Sequence, residues 1–209
     1  MHTQPPGPRL TLISRLALHR DYGAYLYRLA RQYGDVVNVP VGRRTYLINH
    51  PDFIRAVLIT QADHFARVEP PPDRPARPDG YLDAARRWLA QPVERRAPIT
   101  DRLEYARQIL SEALRLYPPV KIIQRRALVD YVIGNYTLPA GALLVISPWV
   151  MQHDPRYYPE PFRFEPGRWA GQAARPAFTY FPFGEAWSAG MWQTALEQLI
   201  RDISQGAIA

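Results

Sequence analysis

Seven prolines and eight arginines crowd residues 67–102, and a segment of that content cannot bury much apolar surface. The chain of 209 residues is therefore expected to fold as two patterned parts flanking a linker. The reading gives residues 1–66 as an N-terminal helix and β-hairpin part, 67–100 as a Pro/Arg-rich linker, and 101–209 as a C-terminal part. Within the linker only Tyr81–Leu89 suits a short helix, and residues 67–100 are expected to be the least ordered section.

In the first part, Tyr22, Tyr25, Leu26, Leu29 and Tyr33 fall at helical spacing, which predicts a helix from Asp21 to Tyr33 stopped by Gly34. Val36–Val41 and Thr45–Asn49 read as strands around the turn Gly42-Arg43-Arg44, and Pro51 opens a helix reaching Ile59. In the second part the clearest helix begins at Asp101, where Asp101 and Glu104 resemble a capping box, and ends at Pro118-Pro119. Its apolar stripe is Leu103, Ala106, Leu110, Ala113, Leu114 and Tyr117; Glu112 and Arg115 share the opposite face. Tyr131–Leu138 and Ala142–Ser147 suggest a hairpin turning at Pro139-Ala140-Gly141. His153–Trp169 is an aperiodic, Pro- and aromatic-rich meander, and a last helix is expected from Trp192 to Ile203.

Hydrophobic content of 47% and aromatic content of 12% place the chain among globular proteins. No apolar run approaches a membrane span, and the amino terminus lacks the apolar core of a signal peptide, so a cytoplasmic protein without a membrane anchor is expected. The net charge of +7 comes almost wholly from scattered arginines, with Lys121 the single lysine. Scatter argues against nucleic acid as a partner; such charge suits steering toward an acidic protein. There is no cysteine, which excludes disulfides and thiolate metal sites within these residues.

The motifs narrow the reading. Alone, Glu112-Ala113-Leu114-Arg115 is an ordinary helix pair, but here Leu116-Tyr117-Pro118-Pro119 follows directly. Together with Phe164-Glu165-Pro166-Gly167-Arg168-Trp169, His153-Asp154-Pro155 and Phe181-Pro182-Phe183-Gly184, the run resembles the cytochrome P450 family, bacterial type. Pro5-Pro6-Gly7-Pro8, Tyr33-Gly34-Asp35-Val36, Asn49-His50-Pro51 and Gln61-Ala62-Asp63-His64-Phe65 extend the resemblance to roughly residues 5–66 and 101–190. It implies an α+β, mainly α fold: a truncated cytochrome P450 fold carrying the Glu-x-x-Arg helix, a small sheet, the meander and a haem-loop remnant.

By the same resemblance, Glu112, Arg115 and Arg168 form a buried structural triad. The haem cofactor is expected to meet Arg125, or alternatively Arg126, through a propionate, with Phe183 and Gly184 in the haem loop. The family activity is haem-dependent monooxygenation of an organic substrate, with electrons from a ferredoxin- or flavodoxin-type partner. Two departures matter. The family's central helices, which handle oxygen and roof the substrate pocket, have no counterpart in residues 67–101. The cysteine position falls on Gly190 or Ser188, depending on which phenylalanine anchors the loop, and neither supplies a thiolate. His2, His19, His50, His64, His153 and Met191 are not placed to replace it. The chain is accordingly expected to be catalytically defective. The alternatives are a non-catalytic remnant or interaction module, or a haem-binding protein without thiolate ligation.

Overall fold

A computed structural model of the chain describes residues 4–8, 21–41, 44–68, 99–171 and 175–184. The possible helix at 81–89, the turn residues Gly42 and Arg43, Ser188, Gly190, Met191, His2, His19 and the helix at 192–203 lie outside the described residues.

Helix α1 (Tyr22–Tyr33) starts where the Asp21 carboxylate accepts the Ala24 amide at 3.0 Å, and it stops at Gly34, whose φ of 98° suits glycine. Strand β1 (Val36–Val39) pairs antiparallel with β2 (Thr45–Ile48). Helix α2 (Pro51–Arg55) has Pro51 in its first turn and the His50 ring accepting the Asp52 amide; it then widens into a π-helical turn at Ala56–Thr60. A 3₁₀ turn (Ala62–His64) leads into β3 (Phe65–Arg67).

Helix α3 runs Ile99–Leu116, two residues earlier than the sequence suggested. Asp101 is thus inside the helix, and Glu104, rather than closing a capping box, accepts from Arg107 at 2.6 and 2.8 Å and from Gln108 at 3.3 Å. Partners one turn ahead on the same face satisfy it better than a cap behind. After α3 come β4 (Ile123–Ala127), β5 (Tyr131–Ile133), β6 (Tyr136–Leu138), β7 (Leu143–Ile146) and the short helix α4 (Pro148–Gln152).

The expected hairpin between 131–138 and 142–147 does not form. Gly134, with φ 56°, lets β5 and β6 turn on themselves as a separate two-stranded sheet. The β7 strand instead enters a five-stranded sheet of order β1-β2-β7-β4-β3, parallel to β2 and antiparallel to β4. Leu144, Val145 and Ile146 are fully buried, and a run apolar on both faces belongs in mid-sheet.

That sheet is built from both sides of the Pro/Arg-rich segment. One face packs Val37, Val39, Leu47 and Val145 against Leu26 and Leu29 of α1. The other packs Ile48, Leu144 and Ile146 against Ile54, Val57, Ile133, Leu138 and Phe181. Pro6 covers the free edge of β1 by accepting the Asn38 amide at 2.7 Å. An ionic latch also crosses the two parts: Arg156 donates to Asp154 and Asp35 at 2.7 Å each and to the Asn49 carbonyl at 3.2 Å. Among the described residues no helix is long and apolar enough to cross a membrane.

Candidate functional site

Glu112 and Arg115 lie one turn apart on the inner face of α3, both with no exposed side-chain surface. Such a pair is stable only when every donor and acceptor is used, and here they are. Arg115 has five N–H donors: two meet the Glu112 carboxylate at 2.8 Å each. The others meet the carbonyls of Gln152 at 2.9 Å, Pro161 at 2.6 Å and Arg163 at 3.1 Å. Glu112 also accepts from Arg168 Nε at 2.9 Å, the Glu165 amide at 2.9 Å and the Trp169 indole at 2.8 Å. Burial alone would raise the Glu112 carboxyl, but Arg115, the Glu165 amide and Trp169 together hold it below the usual carboxylate range.

The structure thus brings Glu112, Arg115 and Arg168 together. The 3₁₀ turn Pro166–Trp169 aims Arg168 and Trp169 at the same carboxylate. Trp169 was not picked out in the sequence as a member of the cluster. A tryptophan after the arginine carries no sign of where its N–H will point, and only the turn geometry settles it.

The loop 175–184 is fastened to this cluster. Trp169 packs on Tyr180 with ring centroids 4.6 Å apart and carries Arg175 on its ring at 4.2 Å. The Tyr180 hydroxyl donates to the Ser111 carbonyl and that of Tyr158 to the Thr179 carbonyl, both at 3.1 Å. The Val120 amide donates to the Pro182 carbonyl at 3.1 Å, and Phe183 is buried. Gly184 has φ 68°, and a Cβ there would lie 3.1 Å from Ile123 Cδ1 and 3.5 Å from Val120 Cγ1. The backbone conformation favours glycine, and a side chain there would also press on Ile123 of β4.

Strand alternation separates the two candidate arginines of β4. Arg125 shares the buried face with Ile123 and Ala127, two residues along from the side chain that Gly184 abuts. Its guanidinium donates to the Gln124 carbonyl at 2.8 Å, and its backbone is in register with Arg67 of β3. Burial first, then the Arg67 charge, lowers its pKa. Arg126 points to the exposed side and reaches the Gly141 carbonyl at 3.3 Å. Arg125 therefore lies on the inner side of β4, two residues from Ile123, and Arg126 on the outer side.

His50 caps α2, and His64 lies 6.1 Å from the Tyr131 ring. His153 is buried between Trp149 and Phe162, at 4.4 and 4.9 Å, with Nδ1 2.7 Å from the Trp149 carbonyl. Among the described residues no group of His, Cys, Asp or Glu could hold a metal ion.

Comparison with known proteins agrees with the motifs. The chain is 29% identical over 186 residues to thromboxane-A synthase of Sus scrofa, covering 87% of this chain and 30% of that enzyme. It is 38% identical over 84 residues to cyclooctat-9-en-7-ol 5-monooxygenase of Streptomyces melanosporofaciens, covering 39% of this chain and 18% of that one. It thus spans less than a third of the length of these relatives. Among solved structures, a six-coordinated cytochrome P450 from Thermus thermophilus aligns at 34% identity and TM-score 0.42, over 57% of this chain and 35% of that chain. A retinoic-acid-bound cyanobacterial cytochrome P450 aligns at 26% identity and TM-score 0.43, over 58% of this chain and 31% of that chain. The family model described as Cytochrome P450 matches residues 94–185, the stretch that holds Glu112, Arg115, Arg168 and Gly184, and the chain belongs to the cytochrome P450 family.

Proposed function

We propose that this chain keeps the frame of a cytochrome P450 haem site without the thiolate chemistry that the frame serves in the family. The family inserts one oxygen atom of O₂ into an organic substrate, and a cysteine thiolate on the haem iron drives O–O cleavage. The observation that carries the reading is a contrast. The Glu112 cluster and the loop as far as Gly184 are fully fastened, while no cysteine occurs anywhere in the 209 residues.

Among the described residues, the fit to haem is carried by one point. A buried guanidinium such as Arg125 suits a carboxylate, so a propionate has a partner. No cysteine is present to supply the iron with a thiolate. Family analogy places an acidic ferredoxin- or flavodoxin-type protein against the +7 charge of the chain, where charge sets encounter rates. Reconstitution with haem, followed by the reduced-plus-carbon-monoxide difference spectrum, tests the reading. The expected result is no thiolate-type Soret band, and its appearance would overturn the proposal. Haem carriage without thiolate is the narrower version supported by Arg125, and a titration lacking any saturable absorbance change would dispose of it.

One observation favours an interaction module as a second reading. Ile59, Leu128, Val129 and Val132 are between 47% and 57% exposed. They sit on segments joined by the Leu128 amide to the His64 carbonyl and the Tyr131 hydroxyl to Gln61. Exposed apolar side chains on adjoining segments suit a contact surface. Light scattering across a concentration series should show self-association that Leu128→Asp with Val132→Asp abolishes. A wild-type protein that stays a cooperative, compact monomer at every concentration would count against this reading.

A further inference from the structure

The loop through Gly184 is held by a residue that neither the ion cluster nor the family resemblance singles out. Pro118 and Pro119 stop α3, and in doing so they remove the two amides that would have served Leu114 and Arg115. A helix carbonyl is satisfied by the N–H four residues on, and residues four on from Leu114 and Arg115 are these prolines. Both carbonyls sit at the buried end of the helix.

Gln152, fully buried at the end of α4, replaces the missing donors. Its Nε2 donates to the Leu114 carbonyl at 3.1 Å and to the Arg115 carbonyl at 2.9 Å. Its Oε1 accepts the Phe181 amide at 3.0 Å. A primary amide has two donors and one carbonyl acceptor, and both ends are used here. The backbone carbonyl of Gln152 in turn accepts from Arg115 at 2.9 Å. One side chain therefore joins the proline-truncated helix, the buried ion cluster and the loop.

We propose that Gln152 is the positioning residue of the 179–184 loop, setting its place from the end of α3 without any bound group. That this loop is the cofactor-facing one rests on the functional reading above; the positioning does not. Amide hydrogen exchange on the full chain, without haem, tests it in wild type and in Gln152→Leu. The leucine variant keeps the volume and deletes all three hydrogen bonds. Exchange at Phe181 and Gly184 should rise about tenfold or more, while Leu144 and Ile146 in β7 stay near wild type.

Gln152→His returns one donor and one acceptor nitrogen and should restore part of the Phe181 protection. A uniform rise across the sheet, an unchanged Phe181, or equal loss in both variants would overturn the proposal. If the leucine variant does not fold, exchange is read on wild type in sub-denaturing urea. Phe181 and Tyr117 opening together ahead of β7 supports the proposal, and any other order overturns it. A thiolate-type haem spectrum would sink the functional reading and leave this result standing.

Discussion

Glu112→Ala is expected to lower the unfolding free energy by about 3–5 kcal/mol, the cost of leaving one partner of a buried ion pair uncompensated. The loss is concentrated because five donors converge on this carboxylate: two from Arg115 and one each from Arg168, the Glu165 amide and Trp169. Alanine strands a guanidinium with no exposed surface and leaves a buried indole N–H without its acceptor. Domains of this size have a total stability of roughly 5–15 kcal/mol, so the loss is a large fraction of the whole and should shift the urea midpoint clearly. Urea denaturation monitored by far-ultraviolet circular dichroism measures the change. Glu112→Gln keeps the acceptor oxygen and should fall between the two. An unchanged midpoint in the alanine variant would mean that the cluster is a solvated decoration, and the fold would lose its central tie.

Acid is expected to weaken the protein in two stages, and His153 sets the first. Burial chiefly, with the nearby Arg115 charge assisting, depresses its pKa from 6.5 to about 4, against the opposing hydrogen bond to the Trp149 carbonyl and the Glu112 charge. The unfolded chain therefore binds a proton in this window that the folded chain does not. Stability from the neutral, stacked ring is complete above about pH 6.5 and is lost as the pH falls toward 4, by about 3 kcal/mol in all. Glu112 contributes in the same direction, but its folded pKa lies below the carboxylate range, so its share is lost at lower pH. Urea midpoints measured from pH 7 to pH 4 should slope in wild type and flatten in His153→Phe, which keeps the stack on Trp149 and Phe162. Identical slopes would show that His153 is not held neutral.

Local chemistry made much of this molecule readable in advance. The spacing of Tyr22, Tyr25, Leu26 and Leu29, stopped by Gly34, matches α1 within a residue, and the β1–β2 pairing follows two short apolar runs around a turn. Each of these depends on neighbours within one or two helical turns, so sequence carries the information. The start of α3 was misplaced for the same reason: Glu104 had two local options, and the choice between a cap behind and Arg107 with Gln108 ahead depends on small differences.

Leu143–Ile146 shows the limit. As a short apolar run after a turn it looks like a hairpin arm, yet its partners are β2, nearly a hundred residues earlier, and β4. No local term selects a parallel partner at that distance; burial on both faces does, and burial is a property of the assembled sheet. The same register buries Arg125 and exposes Arg126, because alternate residues of β4 face opposite sides and only the pairing says which side is inner.

By itself, then, the sequence determined the family through Glu112-x-x-Arg115, Leu-Tyr-Pro-Pro and the meander, and it determined the lack of any thiolate, because both are matters of residue identity and spacing. It also determined that Leu114 and Arg115 would lose their helical donors at Pro118-Pro119, since proline has no N–H. Only the tertiary structure decided that Gln152 would replace those donors, that Trp169 would turn its indole onto Glu112, and that β7 would lie between β2 and β4. Those choices depend on where distant segments meet, and side-chain hydrogen bonds of a few ångströms are resolved only once the packing has brought them there.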